Sequence, residues 1–137
     1  MGKLIERLQD AARSGVYRAA RADEVVDALR GSRLALVRVG FSDKESFLKS
    51  IARALDFPDW FGHNWDALED CLADLSWREA AGHVLVIENP APGDDLGVLI
   101  DVLRSSAEFW AGRGTPFFAV FVDPERALAL PELFRPR

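Results

Sequence analysis

Apolar residues recur along this chain in two patterns, one typical of buried strands and one of helices. Leu34–Val39, His83–Glu88 and Phe117–Val122 are nearly continuous apolar runs, which indicates strands that are covered on both faces. Between them, apolar positions three and four residues apart predict helices. The order strand, helices, strand, helix, strand predicts an α/β fold built on a mostly parallel three-stranded sheet. The first predicted helix of this part is capped by Ser42 or Asp43 and runs to about Leu55. The second runs from Trp65 to Leu75, and the third begins at Asp94 or Asp95 and runs to about Ala111.

Shorter elements are predicted before the first of these strands, so the sheet is expected to carry an N-terminal helical extension. They are a helix at Lys3–Ala12, a brief edge strand at Val16–Ala19 and a helix at Ala22–Leu29. Gly31 is expected to stop the second helix. The C-terminal end holds three prolines and three arginines and is expected to be loosely attached. The predicted parts are an extension over 1–32, a main domain over 33–123 and a tail over 124–137.

Composition narrows the class of protein. The 137 residues, 49% of them hydrophobic, suit one globular domain. No run of 18 apolar residues is present, and the N-terminal residues lack the apolar centre of a signal peptide, so we expect a cytoplasmic protein. One cysteine and two histidines predict neither a disulfide nor a structural zinc site, and we expect no cofactor. Arginine outnumbers lysine fourteen to three, which hints at a GC-rich bacterial genome.

Negative charge is concentrated in one segment. No Lys or Arg lies between Arg53 and Arg78, and the segment carries a formal charge of −6, against −5 for the whole chain, so the rest sums to +1. Such a segment argues against direct nucleic-acid binding and favours a basic partner, although many acidic helices are simply solvated. The six acidic residues are Asp56, Asp59, Asp66, Glu69, Asp70 and Asp74.

Within this segment, a helix begun by Asn64 separates apolar from acidic positions. Asn64 is a favourable N-cap, and an inward stripe follows it. Asp66, Asp70 and Asp74 recur every fourth residue on the other side, with Glu69 beside them. Like charges at this spacing repel by roughly 0.2–0.5 kcal/mol per pair, so the pattern indicates a function instead of a gain in stability. The inward stripe is Trp65, Leu68, Leu72 and Leu75.

A longer pattern around the helix has the spacing of a known family. Its fixed positions are Pro58, Trp60-Phe61-Gly62, Asn64-Trp65-Asp66-Ala67-Leu68, Asp70-Cys71-Leu72 and Trp77. This pattern resembles the barstar family of ribonuclease inhibitors, and with the flanking elements the resemblance covers roughly residues 33–123. It implies a barstar-like α/β domain that blocks a ribonuclease with this helix and the preceding loop.

The resemblance also implies roles for single residues. Asp70 corresponds to the central anchor, whose carboxylate occupies a phosphate site of the enzyme, and Asp66 to a second acidic contact. Trp60 matches an aromatic that packs near the catalytic histidine, while Leu68, Cys71 and Leu72 match structural positions. No catalytic residue and no metal ligand is implied. The candidate partner-binding residues are Trp60, Gly62, Asn64, Trp65, Asp66, Glu69, Asp70 and Asp74.

Some positions depart from the family pattern. Glu69 stands where the best-known member has a tryptophan, His63 where it has an acid, and Asp74-Leu75 is a short insertion before Trp77. A further acidic contact on the penultimate helix falls near Ser105, with Glu108 one turn later, so neither is assigned. These changes bear on which nuclease is the target.

Two other functions fit parts of the pattern. A barstar-like fold can serve as a binding or immunity module for another basic protein or toxin. Alternatively, Asp66, Glu69 and Asp70, with His63, have the ligand types of a divalent-cation-dependent hydrolase. No nucleophile–base pair, phosphate-binding glycine loop or HExxH motif accompanies them, which favours the inhibitor.

Overall fold

The computed structural model describes residues 3–134, and its elements follow the predicted order with one additional strand in the sheet. A short 3₁₀ helix, Ala11–Arg13, precedes the first strand. The elements are α1 (Lys3–Leu8), β1 (Gly15–Ala19), α2 (Ala22–Ala28), β2 (Leu34–Gly40), α3 (Lys44–Ala54), α4 (Trp65–Leu72), β3 (Gly82–Glu88), α5 (Asp94–Gly112) and β4 (Phe117–Val122).

All four strands belong to one parallel sheet with the order β1-β4-β3-β2. The α/β class and the parallel sheet are confirmed, but the expected count of three strands was wrong. The brief strand predicted near Val16 is β1, and it pairs along β4, with Tyr17 opposite Val120. Its partner lies about a hundred residues later in the chain, a pairing that local sequence patterns cannot reveal.

Helices cover both faces of the sheet, as the continuous apolar strands require. Alternate residues of β3 point to opposite sides: Leu85 and Ile87 face the core under α3, α4 and α5, whereas Val84 and Val86 face α1 and α2. The connections from β2 to β3 and from β3 to β4 advance in one direction across the sheet, while the connection from β1 to β2 runs the opposite way. Because parallel crossovers are right-handed, α2 lies on the other face.

The C-terminal segment packs along β1. Leu130 and Leu133 are buried, the backbone N–H of Arg18 donates to Pro131 O at 2.9 Å, and Leu133 N–H donates to Arg18 O at 2.9 Å. Asp123 is buried at the end of β4, where its carboxylate accepts backbone N–H groups of the next turn at 2.8 and 2.9 Å. Residues 124–134 are therefore not loosely attached, contrary to the expectation from the sequence. Residues 135–137 lie outside the described part.

The boundary expected at residue 32 stays a prediction, although the segment before it is built into the fold. Leu8 of α1 and Val25 of α2 are fully buried against the sheet. No helix in residues 3–134 is long and apolar enough to cross a membrane.

Candidate functional site

The start of α4 is fixed by Asn64, as the sequence predicts. The Asn64 side chain accepts a hydrogen bond from Ala67 N–H at 2.8 Å, which satisfies one of the free N–H groups of the first turn. Its Nδ2 donates to Gly62 O at 3.3 Å, so the same side chain ties the helix to the preceding loop. A Cβ on Gly62 would lie 3.0 Å from Asn64 Nδ2, so this position favours glycine. The two hydrogen bonds of the Asn64 side chain therefore fix the conformation of residues 62 to 67.

The inner side of α4 determines which residues it exposes. Leu68, Cys71 and Leu72 are fully buried in the core shared with α3 and α5. The indole N–H of Trp110 in α5 donates to Leu72 O at 2.7 Å and so caps the last turn. With this side fixed, Asp66, Glu69 and Asp70 lie on the exposed side, where the sequence placed them.

The helix ends earlier than the expected Leu75. Ala73 is its C-cap, and Leu75 adopts a left-handed backbone with φ of 49°, which turns the chain so that the Leu75 side chain is buried. Asp74 therefore lies beyond the helix, where its carboxylate accepts the N–H of Ser76 at 3.2 Å. The predicted repeat of three aspartates on one helix face holds for Asp66 and Asp70 but not for Asp74.

The loop before α4 is anchored by aromatic residues. Phe61 is buried and packs edge-on against Phe57 at 4.9 Å between ring centroids, and Phe57 contacts Trp77. The Trp77 indole N–H donates to Leu55 O at 2.8 Å. Trp60, next to this anchor, is 61% exposed and is the most exposed large hydrophobic side chain in residues 3–134. The loop thus presents an aromatic ring to solvent beside the acidic helix.

The acidic charges of this region are mostly uncompensated within the fold. Asp56 forms an ion pair with Arg78, with 3.0 Å between Nη1 and Oδ2. Within residues 3–134, the structure shows no ion pair for the other five acidic residues of the segment. Their negative potential is therefore available to an external partner.

Helix α5 adds a residue that the sequence left unassigned. Ser105 Oγ donates to Glu69 Oε2 at 3.2 Å. This bond brings α5 to the edge of the acidic surface, which is formed by Asp66, Glu69 and Asp70 of α4. Glu108 instead lines a groove beside β1 with Gly15 and Tyr17, away from α4. The relative position of α4 and α5 determines that Ser105, and not Glu108, contacts α4. No local sequence pattern indicates this position.

Two buried residues with titratable side chains have shifted pKa values. Burial raises the pKa of the Cys71 thiol to about 11, and the charges of Asp70 and Asp74 add to the shift. Burial, with a smaller contribution from Arg78, lowers the pKa of His83, whose ring lies 5.5 Å from that of Trp110. A thiol with a raised pKa is a poor nucleophile.

The cation-dependent alternative requires several ligands close together. Among residues 3–134, no group of three or more His, Cys, Asp or Glu side chains is placed to hold a metal ion. Asp66, Glu69 and Asp70 share a helix side without converging, and His63 lies in the loop with φ of 53°, its ring beside Phe61. Residues 3–134 therefore do not bring together the ligands that the cation-dependent alternative requires.

A protein-family model matches the chain. The model of a family described as "Barstar (barnase inhibitor)" matches residues 33–122, about two thirds of the chain. The matched range begins just before β2 and ends with β4, so it contains the whole of α4, its preceding loop and α5. Neither the curated proteins nor the solved structures gave a match.

Proposed function

The chain belongs to the barstar family, and on this premise we propose that it inhibits a basic ribonuclease by covering the enzyme's active site with α4 and the preceding loop. The observation that carries the proposal is the exposed side of α4, on which Asp66 and Asp70 form no ion pair within residues 3–134. A ribonuclease binds a polyanion, so its cleft is lined by cationic groups that such a surface complements.

In the proposed complex, Asp70 is the anchor, because it is exposed in the last turn of α4 and is held by a rigid helix. Asp66 stands one turn earlier and contributes a second carboxylate. Trp60, exposed in the loop, stacks on the rim of the enzyme's cleft, where a large aromatic contributes buried area at low entropic cost. Asn64 and Gly62 hold the loop in the shape that makes these contacts.

Three further positions belong to the proposed contact surface with smaller roles. The Glu69 carboxylate is held by Ser105, so it forms the edge of the surface towards α5. Trp65 is half-buried at the first position of α4 and supports the turn. Asp74 lies beyond the helix and acts at the rim through its charge. We propose that the protein acts in the cytoplasm, without catalytic residues of its own.

An inhibition assay tests this function. Purified protein is titrated into barnase, the enzyme named in the family description, and into the basic ribonucleases encoded by the source genome. We expect stoichiometric loss of RNA cleavage by at least one of them, and recovery of cleavage when Asp70→Ala replaces the wild type. Glu24→Ala is the matched control, because it removes one exposed carboxylate from α2 on the other face of the sheet. Full cleavage by every enzyme at a large molar excess of the protein would refute the proposal.

A second candidate is an immunity module for a basic toxin that is not a ribonuclease. The departures at Glu69 and His63 favour it, because both change the chemistry of the contact surface while α4 keeps its acidic character. Binding of such a toxin with loss of its activity, together with no effect on any ribonuclease, would favour this candidate over the first.

A further inference from the structure

A cleft adjoins the acidic surface on the side of α3. It has a volume of about 480 Å³ and is lined by Lys44, Glu45, Leu48, Lys49 and His63. Leu48 is buried and forms an apolar floor, while the charged groups and the imidazole form the rim. The cleft exists because the loop before α4 runs back along the N-terminal half of α3, which leaves His63 opposite the first turns of that helix.

The rim of this cleft is cationic. Lys49 pairs with Glu45 at 3.7 Å, and both side chains are largely exposed, so this pair is weak. Lys44 forms no ion pair within residues 3–134, and its ammonium stands 5.4 Å from the centre of the Trp65 ring. The three charged side chains, Lys44, Glu45 and Lys49, together leave one net positive charge.

The cationic rim and the acidic surface are neighbours that do not neutralise each other. Trp65 is the first residue of α4, and the Lys44 ammonium packs over its indole ring. Asp66 is the next residue of the helix. A pair between Lys44 and Asp66 would lower the charge of both surfaces, yet the ammonium rests on the aromatic ring instead. Both charges thus remain available to a partner.

We propose that this cleft receives an acidic side chain of the ribonuclease, a carboxylate that projects from the rim of the enzyme's basic cleft. The inference rests on the proposed function and deepens it. The carboxylate would lie between the Lys44 ammonium and His63, with its methylene groups on Leu48. Charge complementarity selects this occupant, and the cleft continues the proposed contact surface.

Such a contact gives the interface a direction. When α4 covers the basic cleft of the enzyme, Lys44 at the rim of the α3 cleft can meet an acidic group of the enzyme in only one orientation. In the reversed orientation, Lys44 would meet the cations of the enzyme, and like charges brought together in an interface are unfavourable. The cleft therefore restricts both the docking register and the set of ribonucleases that bind.

Lys44→Glu tests the proposal because the two possibilities predict opposite signs. If the cleft receives a carboxylate, Lys44→Glu weakens binding to the inhibited ribonuclease at least tenfold, mainly through faster dissociation. If only the acidic surface binds, the added negative charge beside α4 speeds association and tightens binding. Lys3→Glu is the matched control, since it makes the same charge change in α1 on the opposite face of the sheet. An acid in the first turn of α3 also suits the helix dipole, so the variant is expected to fold.

Each result of this experiment is decisive. Tenfold weaker binding of Lys44→Glu, with Lys3→Glu within twofold of wild type, supports the proposal. Recovery of binding when one rim Asp or Glu of the enzyme is changed to Lys identifies the occupant. Binding of Lys44→Glu that is equal to the wild type, tighter, or weaker by less than tenfold overturns the proposal while leaving the inhibitor function intact, provided that Asp70→Ala still abolishes inhibition. Wild-type protein that binds no ribonuclease refutes both.

Discussion

Asp70 is the sixth of the eight residues of α4, past the first turn in which the helix dipole stabilises a carboxylate. It is exposed, and Asp66 lies one turn before it on the same side. Neither has an ion pair within residues 3–134. The two charges repel each other, and only Asp66 lies in the first turn, where the helix dipole offsets this cost. The charge of Asp70 is therefore better explained by a partner.

Replacing Asp70 by Asn should therefore leave stability unchanged or slightly raised. Removing one charge relieves the repulsion from Asp66, and exposed substitutions usually change the free energy of unfolding by less than about 0.5 kcal/mol. Urea denaturation of the free protein measures this. A loss above about 2 kcal/mol would show that Asp70 takes part in a structural interaction instead of a contact with a partner.

Cys71, the residue after Asp70, should make stability fall at alkaline pH. Its thiol has a pKa near 11 when folded, mainly because it is buried, against an ordinary value of 9.0. Above about pH 9 the unfolded chain loses this proton first, so the unfolded state gains free energy of ionisation that the folded state lacks. The stabilisation is complete below pH 9 and declines by roughly 2 kcal/mol as the pH approaches 11.

Comparing the wild type with Cys71→Ala isolates this effect from the titration of other groups. Urea unfolding of both proteins, under reducing conditions at several pH values from 8 to 11, gives the difference in free energy. The difference should shift in favour of Cys71→Ala as the pH rises. A difference that is independent of pH would mean that the thiol ionises as easily in the folded protein as in the unfolded chain.

Among the helices and strands, the features that depend only on residues close together in the chain were predicted correctly. The cap by Asn64 and the buried side of α4 follow from local pattern, and both are present. The end of α4 was misplaced because Leu75 keeps the apolar spacing while its backbone has left the helix. The hydrogen bond from Ser105 to Glu69 depends on the lateral register of two helices, so the pattern of neither helix contains it.

The C-terminal segment shows the same limit. Its prolines and arginines indicated weak attachment, yet it closes along the edge of β1 through Arg18 and through the buried side chains of Leu130 and Leu133. The first turn of this segment is held by Asp123, whose two carboxylate oxygens accept the N–H groups of Ala127 and Leu128. Asp123 therefore fixes the start of the segment, while the contacts of Arg18, Leu130 and Leu133 hold its end.

Asp123→Ala should loosen that segment. It removes two hydrogen bonds to a charged acceptor and leaves two N–H groups unpaired, which we expect to cost about 1–3 kcal/mol. Urea denaturation measures the loss, and limited proteolysis should cut between residues 124 and 134 faster than in the wild type. The neighbouring exposed Glu125→Ala serves as the control. If Asp123→Ala matched Glu125→Ala in both measurements, the segment would be held by its apolar contacts alone.

On the scale of the whole molecule, the sheet separates two surfaces. α3, α4 and α5 cover one face and carry the acidic helix, the exposed loop and the adjoining cleft, whereas α1 and α2 cover the other. The concentration of charge was visible in the sequence, since it depends only on residue types. The cationic cleft was not, because it forms where α3 and the loop before α4 come together from separate parts of the chain.

We propose that Asp70 fills a phosphate site of a ribonuclease, and stopped-flow binding kinetics with the inhibited enzyme measure its contribution. We expect Asp70→Ala to raise the dissociation rate on the order of a hundredfold, a magnitude taken from buried charge pairs of barnase and barstar, with little change in association. Inorganic phosphate should compete with the wild type but hardly with Asp70→Ala. Dissociation of Asp70→Ala at the wild-type rate, with unchanged competition by phosphate, would contradict the proposed role of Asp70 as the anchor.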